Sequence, residues 1–190
     1  MNSIAKPWLK NYPEGVKENI SFNEYSSLVD MFDQTCEKFN SKKAFTNFGI
    51  SISFKEIFTK SKNLAKFLQN DLKLEKGSRV AIMMPNLLQY PISTFGILKA
   101  GLIVENINPL YTERELEIQL LNSQSETIII LDNFAHLIEK TLHKTNIKNI
   151  IITSVGELLG LKGHLMNFVL KKIKKMVPNY NLPNFYRFKD

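Results

Sequence analysis

Two periods run along this chain. Near the start, apolar side chains recur every third or fourth position; from residue 79 onward they gather into short unbroken runs separated by amphipathic stretches. In "SLVDMFDQTCEKFN" (27–40), Leu28, Met31, Phe32 and Phe39 share one side of a predicted helix, with Ser27 as its N-cap. "AFTNF" and "ISISF" flank Gly49 and predict a hairpin. "SFKEIFTKSKNLAKFLQN" (53–70) then predicts a second helix, opened by the capping-box spacing of Ser53 and Glu56.

The second half alternates. "RVAIMM", a helix through Ala100, "LIVENI", a helix opened by a Thr112–Glu115 capping box, "TIIIL", a helix from about 134 and "NIIIT" follow one another. Short apolar strands joined by helices of this length are satisfied by a mostly parallel sheet covered on both faces, with right-handed crossovers. The expected class is therefore α/β, doubly wound. The expected organisation is a leader (1–24), an α/β unit (25–178) and an extended connection (179–190) that leads on to a missing downstream part. With 190 residues, 44% of them hydrophobic, the chain can bury a core as one domain or as part of a larger one.

Charge changes the picture at one place only. The formal net charge is +7, but residues 161–177 hold five lysines and no acid, leaving 20 basic against 18 acidic residues elsewhere. A general nucleic-acid footprint is not expected from so local an excess. No apolar run approaches the ~20 residues that span a bilayer, and the start lacks a signal-peptide core, so the cytoplasm is the expected location. Cys36, the single cysteine, reads as a small buried apolar residue.

The basic segment, "LKGHLMNFVLKKIKKMVP", is the strongest local signal. On a continuous helix Leu165, Met166, Val169, Leu170, Ile173, Met176 and Val177 form a broad apolar face with Phe168 at its edge. Lys171, Lys174 and Lys175 lie opposite, and Lys172 intrudes on the apolar arc. Such a helix fits a membrane surface, where each lysine near anionic headgroups adds roughly 1 kcal/mol. It fits equally an ordinary helix packed on a sheet, and both hold if one edge packs and the other is exposed. Other candidates carry less. Gly156, Gly160 and Gly163 in "GELLGLKG" lack the spacing of a phosphate loop. His136, Glu139 and His143 fall at i, i+3 and i+7 as conceivable metal ligands, but Lys140 and Lys144 stand beside them and no fourth ligand is suggested. His164 stands alone, and no G-x-S-x-G elbow surrounds any serine.

"GSRVAIMMPNLLQYPISTFGILKAGLIVENINPLYTERELEIQL" (77–120) resembles the N-terminal part of bacterial long-chain-fatty-acid–CoA ligases, members of the adenylate-forming superfamily. The resemblance runs from "WLKNYPEGV" through "SLVDMF" and "DNFAH" (132–136) to "NFVLKKIKKMVPNYNLP". Family members join a fatty acid to coenzyme A through an acyl-adenylate, with ATP and magnesium, at the inner face of the cytoplasmic membrane. The resemblance therefore implies fatty acid and coenzyme A as partners of the full-length enzyme, a membrane surface, and room for a homodimer. Within it "SFKEI" matches the first core motif and "LKAGLIVENINPL" the second, both structural. Gly101 is expected to turn helix sharply into strand, and the Asn108–Pro109 stop to end ladder pairing.

The family's phosphate loop, adenine segment, magnesium-binding Glu, hinge Asp and catalytic Lys lie downstream in the pattern and have no counterpart in these residues. The chain alone is expected to bind no ATP, magnesium or coenzyme A and not to activate an acid, as the first third of an enzyme. Two positions depart from the family pattern. Glu105 replaces an apolar strand residue and needs a partner or solvent. Glu113 replaces a helix-opening proline and suits the helix dipole. The competing expectation is a non-enzymatic membrane-surface or protein-binding module; an independent flavodoxin-like regulator rests on fold analogy alone.

Overall fold

The computed structural model of the chain describes residues 5–19 and 24–189; residues 1–4 and 20–23 of the expected leader, and Asp190 of the tail, lie outside them. A 3-10 turn, Pro7–Asn11, precedes the first long helix. That helix, α1 (Leu28–Lys38), begins where the Ser27 hydroxyl accepts the Asp30 N–H at 3.1 Å. It buries Phe32 and Cys36, whereas Leu28 and Met31 of the expected inner side are exposed. The inner side centres on the stack of Phe32 against Phe95, ring centroids 3.7 Å apart, which the periodicity of one helix could not locate.

Strands β1 (Lys43–Asn47) and β2 (Ile50–Ser53) pair antiparallel through Phe48 and Gly49, both at positive φ (49° and 76°). Two left-handed residues give the turn the twist of the flanking strands. Helix α2 (Phe54–Lys66) follows at once. Its capping box closes in both directions: Ser53 Oγ accepts the Glu56 N–H at 3.2 Å and Glu56 Oε2 accepts the Ser53 N–H at 2.7 Å.

Among the described residues, five strands form a second, wholly parallel sheet: β3 (Arg79–Met83), β4 (Ile103–Asn106), β5 (Thr127–Leu131), β6 (Asn149–Thr153) and β7 (Tyr186–Arg187), in the order β4-β3-β5-β6-β7. Helices α3 (Gln89–Lys99), α4 (Glu113–Ser123), α5 (Ala135–Thr141) and α6 (Gly160–Phe168) lie in the connections. Alternation along each strand divides the core. Val80, Ile82 and Ile129 pack towards α2 and α3, while Ala81, Ile128 and Ile130 pack towards α4 and α5. Helices α2 and α3 cross so closely that a Cβ on Gly96 would stand 2.8–3.0 Å from three side-chain carbons of Leu64.

The tail differs from its expectation as connection only. Leu182 is buried, and Tyr186 and Arg187 pair with Ile151 and Ile152 as the outermost strand. A strand of two residues is too short for any alternation to betray it in the sequence.

Candidate functional site

In an open parallel sheet, ligands are held outside the carboxyl ends of the strands, where the strand order reverses. Here the reversal falls between β3 and β5, because α3 and α4 leave β3 and β4 towards opposite faces. Clefts open on either side of it.

The first cleft, about 370 Å³, lies beyond β3 and β4 and is lined by Met84, Pro85, Asn86, Tyr90, Asn106 and Asn108, with Pro109 at its edge. Its lining carries no formal charge. The Tyr90 hydroxyl donates to Asn106 Oδ1 at 3.0 Å, and the Leu110 N–H donates to Asn108 Oδ1 at 3.0 Å. Asn47 Nδ2 donates to the Asn86 carbonyl at 3.0 Å and ties the hairpin tip to the cleft wall.

The second cleft, about 180 Å³, lies beyond β5 and β6 and is lined by Asp132, Ser154, Asn167, Leu170, Lys171 and Arg187 among others. A third, about 290 Å³, shares Lys171 and Arg187 with it and continues past Tyr180 and Phe185. A network of hydrogen bonds fixes the floor. Gln89 Nε2 donates to Thr153 Oγ1 at 3.0 Å and to the Ser154 carbonyl at 2.8 Å. Glu157 accepts from the Thr153 hydroxyl, from the Ser154 N–H at 3.0 Å and from the Lys189 N–H at 3.1 Å. Asn167 accepts the Gly156 N–H at 2.7 Å and donates to Ser154 Oγ at 2.9 Å.

Burial pushes the Asp132 carboxyl up to about 6, against the pull of the Lys171 and Arg187 cations, and Glu157 adds to the rise. Burial likewise raises the Tyr180 phenol, with Arg187 opposing. Asp132 thus shares the second cleft with two cations, Lys171 and Arg187. Sequence reasoning missed Asp132 and Arg187. A signal existed for Asp132, the first polar residue after the five buried positions of β5; Arg187 offered none.

Of the residues singled out from sequence, Gly101 stands at φ +76° at the amino end of β4, on the far side from the clefts, and its carbonyl accepts the Gly77 N–H at 2.9 Å. Asn108 and Pro109, at the other end of the same motif, reach the first cleft. The motif is thus a turn at one end and a wall at the other. In "GELLGLKG", the backbones of Gly156 and Gly163 touch, so that a Cβ on either would collide with the carbonyl of the other. That contact fills the space in which a phosphate cradle would curve, and these glycines do not fit ATP. His136 and Glu139 lie on α5, but His143 falls in the 3-10 turn Leu142–Lys144, which breaks the assumed helical register. Lys144 pairs instead with Glu113 and Glu117 of α4, at 3.7 and 3.3 Å, and Lys140 with Glu113 at 3.8 Å. His164 is exposed on α6.

Cys36 is buried, and burial lifts its thiol to about 11. Glu105, on the edge strand β4, is half-buried and accepts from Gln119 Nε2, so its partner is an amide and not a cation. In the basic segment α6 gives way to a π-helical turn, Val169–Ile173, and Lys175 at φ +50° ends it. The apolar arc does not act as one face. Gly163, Met166, Asn167 and Leu170 turn inward, whereas Leu161, Leu165, Phe168, Ile173 and Met176 are exposed together with Lys171, Lys172, Lys174 and Lys175.

A parallel switch-point sheet with clefts at its carboxyl end is the scaffold of nucleotide-using α/β enzymes, and residues 32–166 match the family model described as AMP-binding enzyme. The chain belongs to that family. It is 49% identical over 187 residues to a long-chain-fatty-acid–CoA ligase of Escherichia coli O157:H7, covering 98% of this chain and 33% of the relative. To one of Haemophilus influenzae it is 46% identical over 188 residues, covering 98% and 34%. Its fold is like that of the anthranilate CoA ligase AuaEII solved with anthranoyl-AMP, at a TM-score of 0.69 and 18% identity over 87% of this chain and 27% of that one. The chain spans about a third of the length of the curated relatives it matches.

Proposed function

We propose that these residues form the N-terminal portion of a long-chain-fatty-acid–CoA ligase, which activates a fatty acid with ATP and magnesium and passes the acyl group to coenzyme A. The observation that carries the reading is the likeness to ligases of that name along nearly the whole chain. In the adenylate-forming pattern the phosphate loop, the magnesium carboxylate and the catalytic lysine belong to the rest of the enzyme. The part described here supplies the sheet, its carboxyl-end clefts and an outer surface, and is inactive alone. The test is the mass of the native polypeptide, detected with an antibody raised against residues 1–190. A species near three times 21.9 kDa whose immunopurified form makes acyl-CoA from oleate, ATP and coenzyme A supports the ligase. A species of 21.9 kDa with no such activity would leave only a binding role.

The outer surface of that enzyme, in this reading, meets the inner face of the cytoplasmic membrane through Phe168, Lys171, Lys172, Lys174 and Lys175. No helix among the described residues is long and apolar enough to cross a membrane. Exposed Leu161, Leu165 and Phe168 repeat along one side of α6 beside lysines, which matches burial at a headgroup boundary assisted by anionic lipid. Binding to anionic vesicles that is salt-sensitive and lost on combining Lys171→Glu with Lys174→Glu is the expected result; unchanged binding refutes the membrane surface.

A further inference from the structure

The second and third clefts meet at Lys171 and Arg187, which arrive from unrelated parts of the chain, the π-helical turn and the outermost strand β7. Lysines spread along one exposed side form a diffuse charge. A lysine and an arginine brought to the waist of one trench make a local one. We propose that Lys171, Arg187 and the Ser154 hydroxyl bind the phosphomonoester headgroup of an anionic lipid, a specific site that rests on the membrane reading above.

The donors are arranged for this. Asn167 is committed to the Gly156 N–H and to Ser154 Oγ, so the Ser154 O–H is left to donate into the cleft. Arg187 lies over the Phe185 ring at 4.9 Å and beside the Tyr180 hydroxyl, which together hold its guanidinium near the third cleft, and its remaining N–H groups can donate to a phosphate. A cavity of about 180 Å³ accommodates a phosphate group with some water. Apolar Leu182 and Phe185 beyond it offer a wall for the glycerol end of a lipid. A phosphomonoester carries more charge than a phosphodiester and gains more from paired cations.

Asp132 makes the site selective. Its carboxyl lies in the same cleft, facing Lys171 of the π-helical turn and Arg187 of β7, with Glu157 from the loop after β6 and Tyr180 from the tail as the other titratable neighbours. Ionised, it competes with a bound phosphate for both cations; protonated, it leaves them free. A phosphomonoester itself gains a proton at about pH 6, so the effect of Asp132 is read at fixed pH by removing its charge, which strengthens headgroup binding, a response that a diffuse lysine surface does not produce.

The experiment uses the native polypeptide, expressed from its own reading frame, with phosphatidylcholine vesicles containing either phosphatidic acid or phosphatidylglycerol at matched surface potential. The expected result is preference for phosphatidic acid. Arg187→Gln should weaken that binding about fivefold and erase the preference, whereas Lys174→Gln lowers binding to both vesicles alike. Asp132→Asn should strengthen binding to phosphatidic acid and not to phosphatidylglycerol, a selective gain that a misfolded variant would not give. Binding without lipid preference, or equal effects of Arg187→Gln and Lys174→Gln on both vesicles, overturns the site and leaves the membrane reading standing. No binding to either vesicle sinks both. Inorganic phosphate that binds by calorimetry as tightly as the lipid assigns the cations to a free anion and overturns the headgroup assignment.

Discussion

Asp132 is held where it prefers its proton, and replacing it with asparagine should stabilise the protein. Burial raises the carboxyl from 3.8 to about 6. At about 1.4 kcal/mol per pH unit, two units set an upper bound of roughly 3 kcal/mol on the penalty of ionising it in the folded state. The group is only half-buried, and the water that reaches it reduces the expected gain to about 1–2 kcal/mol. The sign follows from proton counts. Between 3.8 and about 6 the folded state holds the proton and the unfolded state does not, so this contribution is full below 3.8, is lost as pH rises, and is gone above about 6. Asp132→Asn should thus exceed the wild type in urea denaturation, followed by far-ultraviolet circular dichroism, at about pH 7.5, with the advantage shrinking to about half near pH 5. An advantage independent of pH, or a loss at both, would refute the burial argument.

Three further outcomes follow from other contacts. Gly156→Ala drives a methyl group into the Gly163 backbone and should cost about 3 kcal/mol or more, read as a fall in the urea midpoint. Ser53→Ala removes the acceptor that caps α2 and should cost about 1 kcal/mol by the same measure, whereas Ser51→Ala, in the adjoining strand, should not remove the cap. The Cys36 thiol, raised to about 11 by burial, should resist alkylation by iodoacetamide near pH 8 in the native state and react promptly in urea; equal rates in the two conditions would contradict its burial.

Elements announced by local chemistry were legible. The capping boxes Ser53–Glu56 and Thr112–Glu115, the hairpin about Gly49 and the runs that became β3, β5 and β6 each carry their signal within a few residues. What depended on a neighbour was not. Which side of the basic segment turns inward is decided by the contact of Gly163 with Gly156 and by the hydrogen bonds of Asn167, partners before α6, and the π-helical turn then rotates the later residues away from a uniform projection. The second cleft was less legible still. Asp132, Lys171 and Arg187 lie on three elements, and their meeting depends on a strand two residues long. Glu105 looked costly as a strand residue and is resolved by position, since β4 is at the sheet edge and α4 supplies Gln119.

The place of β7 also sets a schedule. Arg187 is 55 residues further along than Asp132, and at about 5–20 residues per second the ribosome needs about 3–11 s to deliver it. During that interval β6 is a bare margin of the growing sheet, open to any extended chain nearby, and the acid at the tip of β5 waits without its arginine. Strand β7 thus both covers the β6 margin and completes the charge of the second cleft, so a chain halted before Tyr186 would have neither.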